Sequence, residues 1–247
     1  MMLKTLSSAL QLMQYFTARQ AVWGVRELAK ESGVHHAIVH RVLATFAAEG
    51  YLVQDEAGRY ALGLRWFEMG EIVRRSLSPS QIVEPALHRL AQQSGETVFL
   101  SLLDGYEGLC LDIAHGDQQL RFSIEEGQRF ALHAGAHGKA ILAFQPDAMR
   151  DEVFARAAKA GQSVDRAAVE ARLDVIRENG WAYTREEAAT GVAGLAVPLI
   201  AKGSRSVGGS LAISGPMQRL DESAVPRLLD ALNDARRKIE SVLSLMR

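Results

Sequence analysis

A chain of 247 residues, 48% of them apolar, has enough material for one or two buried cores. Its 28 Lys and Arg are matched by 29 Asp and Glu, and a formal net charge of −1 excludes a polybasic nucleic-acid coat. The lone Cys110 excludes an internal disulfide and points to a reducing compartment, and no apolar run approaches the ~20 residues of a membrane span. A cytoplasmic protein with no membrane partner is the expectation.

Leu6, Ala9, Leu10, Met13 and Phe16 mark a first amphipathic helix. Residues 25–50 then read as two helices about a tight turn. Val25, Leu28 and Ala29 face inward, Gly33 supplies a turn residue without Cβ, and Val34 plugs the core beneath it. In the second helix Val39, Val42, Leu43 and Phe46 fall at i, i+3, i+4 and i+7, which leaves His36, His40, Arg41 and Thr45 on the polar side. An ordinary helical hairpin with a solvated face has the same pattern. The residues that follow tip the balance: 51–54 and 59–62 are strand-like about the turn Asp55-Glu56-Ala57-Gly58. A helix-turn-helix followed at once by a hairpin is a winged helix, whose second helix enters the DNA major groove. Arg59 sits just past the wing tip, in reach of phosphate or the minor groove. Over residues 1–75, nine Lys and Arg face seven acids, a mild basic excess to which His35, His36 and His40 add near DNA.

Residues 63–75 continue as a helix, with Trp66 and Met69 on a stripe suited equally to core and to a dimer contact. Ser78-Pro79-Ser80 breaks the pattern. The expected organisation is a DNA-binding domain over 1–62, a linker helix over 63–79 and a second domain over 80–247. That domain opens on a helix ending at Ser94-Gly95, followed by strands at 97–103, 108–114 and 120–123. Helices are predicted at 134–144, 148–160 and 167–178, and strands at 181–184, 194–200 and 207–213. A closing helix spans 220–246, with Asp221 as cap and Pro226 able to delay its regular start by a turn. The fold class is α+β: a curved antiparallel sheet with helices on its faces follows the winged helix.

The segments HRVLATFAAEGYLVQDEAGRYALGLRWFEMG (40–70), SGETVFLSLLDG (94–105), LHAGAHGKAILAF (132–144) and VGGSLAISGP (207–216) resemble, in order and spacing, those of the IclR family of bacterial transcription regulators. The resemblance implies a winged-helix domain, a linker helix and a GAF-like effector domain, in dimers or tetramers on palindromic double-stranded operator DNA. In the recognition helix, Ala37 and Ile38 stand where the family has Ser or Thr, and no good capping residue precedes them. His36, His40 and Arg41 remain the best contact candidates, although the matching family arginine can equally be structural.

For the effector, the resemblance points to the start of the 134–144 helix, at Ala136, His137 and Gly138, where free amides and the helix dipole favour a carboxylate. It places Phe122 and Phe130 on the apolar wall. Thr184 stands at the family Asp, Gly194 at the Cys, and Ala212 and Ser214 at two Ser, allowing one inserted residue in the turn at 202–206. Only Ser214 is retained. Fewer polar groups and more Phe imply a larger, more apolar pocket, hence an aromatic or otherwise larger ligand than glyoxylate, a carboxylate anchored by His137 or the helix start.

Other motifs read blandly. His133 and His137, like His36 and His40, have metal-pair spacing but no third ligand. Glu125-Glu126 and Glu186-Glu187 read as surface loops. Residues 202–206 lack the spacing of a phosphate loop and read as a hairpin turn. Cys110 lies in an apolar run as a structural thiol. No cofactor is called for and no enzyme is expected. The alternative, an enzyme or non-regulatory sensor using the second domain, needs a nucleophile–base pair that the sequence does not offer.

Overall fold

The computed structural model describes residues 2–77, 80–200 and 206–242. The chain divides into two compact units, Met1–Val73 and Arg74–Arg247.

In the first unit the elements are α1 (Lys4–Met13), β1 (Val22–Trp23), α2 (Val25–Ser32), α3 (His36–Ala48), β2 (Leu52–Gln54) and β3 (Tyr60–Leu62). Leu12, Leu28, Val39, Leu43, Leu52 and Tyr60 form its core. Gly33 ends α2 at φ +70°, the left-handed conformation predicted for the turn. Val34 packs, partly buried, against the core. The sheet has the order β1-β3-β2. β1 is the addition to the predicted elements: two residues carry no readable period, and Trp23 is fixed by its indole N–H donating to the Tyr15 carbonyl at 2.9 Å. Helix α4 (Leu64–Leu77) runs across the division of the units. Of the predicted break Ser78-Pro79-Ser80, the first two residues lie outside the described ones, and α5 (Ser80–Ser94) begins at the third.

The second unit continues with β4 (Thr97–Asp104), β5 (Glu107–Ala114), β6 (Arg129–Ala131), α6 (Gly135–Leu142), α7 (Asp147–Lys159), α8 (Arg166–Asn179), β7 (Ala182–Arg185), β8 (Val192–Ile200), β9 (Val207–Pro216) and α9 (Val225–Glu240). Its antiparallel sheet has the order β6-β5-β4-β9-β8-β7. Alternation along each strand feeds two cores. Val98 and Leu100 face the α5 and α9 side with Leu211 and Leu232. Phe99, Ala196 and Ala212 face the α6 and α8 side with Ile141 and Leu173.

Two expectations are corrected. Residues 120–123 are not a strand; the outer strand is β6. The 120–123 backbone is held by side chains instead: Thr97 Oγ1 donates to the Phe122 carbonyl at 2.9 Å and Arg219 Nη2 to the Leu120 carbonyl at 2.7 Å. The closing helix starts at Val225, not at 220. Asp221 Oδ1 accepts from the amides of Ser223 and Ala224 and makes a turn first, with Pro226 in the opening turn of α9. The predicted end at 246 lies outside the described residues.

Candidate functional site

On α3, His36, His40, Arg41 and Thr45 are all exposed, while Val39 and Leu43 are fully buried beneath them. The helix is capped after all. His35 Nδ1 accepts the Ala37 amide at 3.4 Å, a role for which the sequence offers no good candidate. The His35 and His36 rings lie 4.6 Å apart. Thr45 donates its hydroxyl proton back to the Arg41 carbonyl at 2.8 Å, so only its oxygen is available to a ligand. Arg41 and Thr45 also border an apolar groove of about 600 Å³ against α1, lined by Leu6, Ile38 and Phe46. In the wing, Arg59 is clasped by Asp55: its amide donates to Oδ1 at 2.8 Å and its Nε to Oδ2 at 3.0 Å. The Arg59 amide, ahead of its guanidinium, holds the Asp55 carboxyl below its ordinary range. Arg59 itself remains largely solvated.

The second site is built on strand register. Thr184, Gly194, Ser214 and Thr97 pair in one row across β7, β8, β9 and β4. Two residues inward, Ala182, Ala196, Ala212 and Phe99 form the next row on the same face. Gly194 presents no side chain at the middle of the first row. A Cβ there would lie 3.3 Å from Ser214 Oγ, 3.8 Å from Thr184 Oγ1 and 3.3 Å from Ala136 Cβ. Three residues distant in sequence thus converge over one bare stretch of backbone, at the first turn of α6.

All eight residues of α6 are buried. Phe130 meets the His137 ring edge-on at 4.3 Å, Phe99 meets it at 5.1 Å, and Phe122 lies 6.1 Å from Phe99. Phe130 can lie there because Gly108 has no Cβ, which would sit 2.1 Å from the phenyl ring. Burial drives the His137 pKa down to about 4. The imidazole is therefore neutral near pH 7, a hydrogen-bonding group and not a cationic anchor. Gly138 stands apart from the other predicted site residues: a Cβ on it would strike the Ala131 and Leu132 carbonyl oxygens at 2.7 and 2.8 Å. Its contribution is close packing of α6 against the preceding backbone.

Glu186 and Glu187 lie in an exposed loop, as expected, but the Glu187 carboxylate turns back onto α6. Its Oε2 lies 2.6 Å from Lys139 Nζ and accepts the Gly135 amide at 3.2 Å. The Lys139 side chain is only 6% exposed. Half-buried His133, next to α6, has its pKa lowered by burial and then by the Lys139 charge. Lys139 carried a signal in the sequence, as a lone cation in an apolar helix. Glu187 carried none, because it looks like its exposed neighbour. Cys110 is buried, and desolvation first, then Glu126 and Asp112, pushes its thiol up to about 12, so it is inert as a nucleophile. Among the described residues no cluster of three or more His, Cys, Asp or Glu is placed to hold a metal, and no helix is long and apolar enough to cross a membrane.

The family model "Bacterial transcriptional regulator IclR C-terminal" matches residues 75–241, and "IclR helix-turn-helix domain" matches residues 5–56. The glycerol operon regulatory protein of Streptomyces griseus is 31% identical over 240 residues, covering 94% of this chain and 93% of its own. A solved IclR-type regulator from Silicibacter sp. TM1040 is 27% identical with a TM-score of 0.83, covering 96% of this chain and 95% of that one. An IclR homologue from Microbacterium hydrocarbonoxydans, solved with 4-hydroxybenzoate, has a TM-score of 0.79 at 20% identity, with 97% and 98% covered; it shows a shared fold.

Proposed function

Because the chain belongs to the IclR family of bacterial transcriptional regulators, we propose that it controls a catabolic operon by reading operator DNA through α3 and the β2–β3 wing, under the command of a small organic acid larger than glyoxylate and aromatic in type. His36 and His40 are the base-reading candidates, supported by exposure and by distance from the α1 groove; Arg41, Thr45 and Arg59 serve as backbone contacts. We assign the effector site to the start of α6, over Gly194. The observation that carries this reading is the convergence of Thr184, Ser214 and Ala136 at the start of a buried helix, beside the aromatic wall of Phe99, Phe122 and Phe130. Two hydroxyls and a neutral imidazole give a two-carbon keto acid few partners, while the aromatic wall suits a ring.

The mechanism is two-state. Ligand in each second domain changes sheet and helix packing, and in a dimer or tetramer this alters the spacing of paired recognition helices. Half-sites lie about one DNA turn apart, so small shifts change affinity strongly. Fluorescence anisotropy with the protein's own upstream DNA is expected to give salt-sensitive, sequence-specific binding that benzoate modulates and glyoxylate does not. Calorimetric binding of glyoxylate alone overturns the effector assignment, and loss of specific DNA binding overturns the regulatory one.

A further inference from the structure

The α6 start already holds a carboxylate, and it belongs to the protein. One oxygen, Glu187 Oε2, takes both the Gly135 amide and the Lys139 ammonium. Glu187 hangs from the β7–β8 loop, whose residues 186–190 are all in the exposed class although the Glu187 side chain itself is only 27% exposed. The loop is under local strain: Glu186 sits at φ +57°, the only non-glycine at positive φ among the described residues, held by its carboxylate accepting the Gly191 amide at 3.0 Å. Ala188 of the same loop lies 3.3 Å from where a Gly135 Cβ would be, so the loop rests on the helix start.

Beside this ion pair, polar side chains wait for a partner. Thr184, Ser214 and His137 are each more than nine-tenths buried, and their side chains have no hydrogen-bond partner among the described residues. Their polar atoms are not among the fully enclosed side-chain atoms without a partner, so each is still reached from solvent. A ligand that satisfied them would bring its own acid group to the neighbouring amides and to Lys139. Two carboxylates at one ammonium repel, so the seat takes one at a time.

We infer that Lys139 and the first amide of α6 form the seat for the effector's carboxylate, and that Glu187 occupies this seat until the ligand displaces it. The inference rests on the effector-site reading and deepens it. It makes Lys139 a ligand-binding residue and Glu187 an internal competitor whose release frees the 186–191 loop. Ligand selection then turns on charge as well as shape: a neutral amide of the same outline cannot dislodge Glu187.

The test is titration calorimetry of the full chain with acetate, benzoate and benzamide. Glu187→Gln keeps the shape and hydrogen bonds of the side chain and removes its charge. It is expected to bind acetate and benzoate about tenfold more tightly than the wild type, with benzamide unchanged. Lys139→Gln, checked for folding by circular dichroism, is expected to lose the preference for benzoate over benzamide. If Glu187→Gln binds both acids no more tightly than the wild type, or gains equally for benzamide, the internal competitor is overturned. If it gains for acetate and not for benzoate, the competitor stands and the aromatic-effector reading falls. Hydrogen exchange of the 186–191 peptide gives a second readout: it must rise in Glu187→Gln without ligand, and an unchanged rate overturns the latch.

Discussion

At the residue scale, the buried histidine sets a pH signature. His137 titrates near 6.5 when unfolded and near 4 when folded, because burial disfavours the imidazolium. The unfolded chain therefore binds the extra proton first as pH falls. Stability is full above about pH 6.5 and is lost between 6.5 and 4, by on the order of 3 kcal/mol in total. His137→Leu should flatten this part of the stability–pH curve relative to the wild type, whatever its offset at neutral pH. Urea unfolding from pH 4 to 7.5 measures it, and parallel curves refute it. The same scale shows where reading a sequence stops. That His137 falls in the first turn of a glycine-rich helix was legible in the sequence. Its neutrality was not, since that depends on Phe99 and Phe130, which arrive from two different strands. His35 is hard to foresee as a cap because an imidazole is an uncommon acceptor at that position.

At the scale of elements, periodicity carried most of the information. The helices and long strands were legible because each shows one apolar stripe or alternation. What escaped was too short to show a period or was held by side chains: β1 has two residues and β6 three, each paired through its backbone with a neighbouring strand, and the 120–123 segment is held by Thr97 and Arg219. No periodic pattern encodes such contacts. Glycines in two helices separate two meanings of one residue type. Gly138 in α6 faces backbone carbonyls that cannot yield, so Gly138→Ala should cost about 1–3 kcal/mol by overpacking. Gly70 in α4 has nothing within 4 Å of where a methyl group would sit, so Gly70→Ala should be neutral or stabilising by up to about 1 kcal/mol. Chemical denaturation of both variants measures the contrast, and equal effects would contradict the packing role of Gly138.

At the scale of the whole molecule, a net charge of −1 means that DNA affinity must come from local charge and not from the protein's overall field. The wing illustrates how finely this is set. Asp55 partly neutralises Arg59, the proposed phosphate contact. Asp55→Ala should tighten non-specific DNA binding and steepen the plot of log affinity against log salt by about one unit. Anisotropy titrations across a range of salt concentrations on unrelated duplexes check this, and an unchanged slope would show that Arg59 makes no phosphate contact. The winged helix and the antiparallel sheet were legible in advance, because each follows from the order of elements. The Glu187–Lys139 pair was not, since it depends on a loop carboxylate folding back across 52 positions of sequence onto the Gly135 amide.

The pair Glu96–Arg219 has a mechanical meaning. Glu96 is almost fully buried and is gripped by both Arg219 Nε and Nη2, while the same guanidinium holds the Leu120 carbonyl. Gly215 makes room for it, because a Cβ there would sit 2.2 Å from the carboxylate. Arg219 lies in the turn between β9 and α9, and Leu120 lies two residues from Phe122. The aromatic wall is thus tethered to the turn that leads into a helix on the other face of the sheet. One guanidinium therefore anchors both the chain beside Phe122 and the lead into α9, so the two faces of the sheet share a single fixed point.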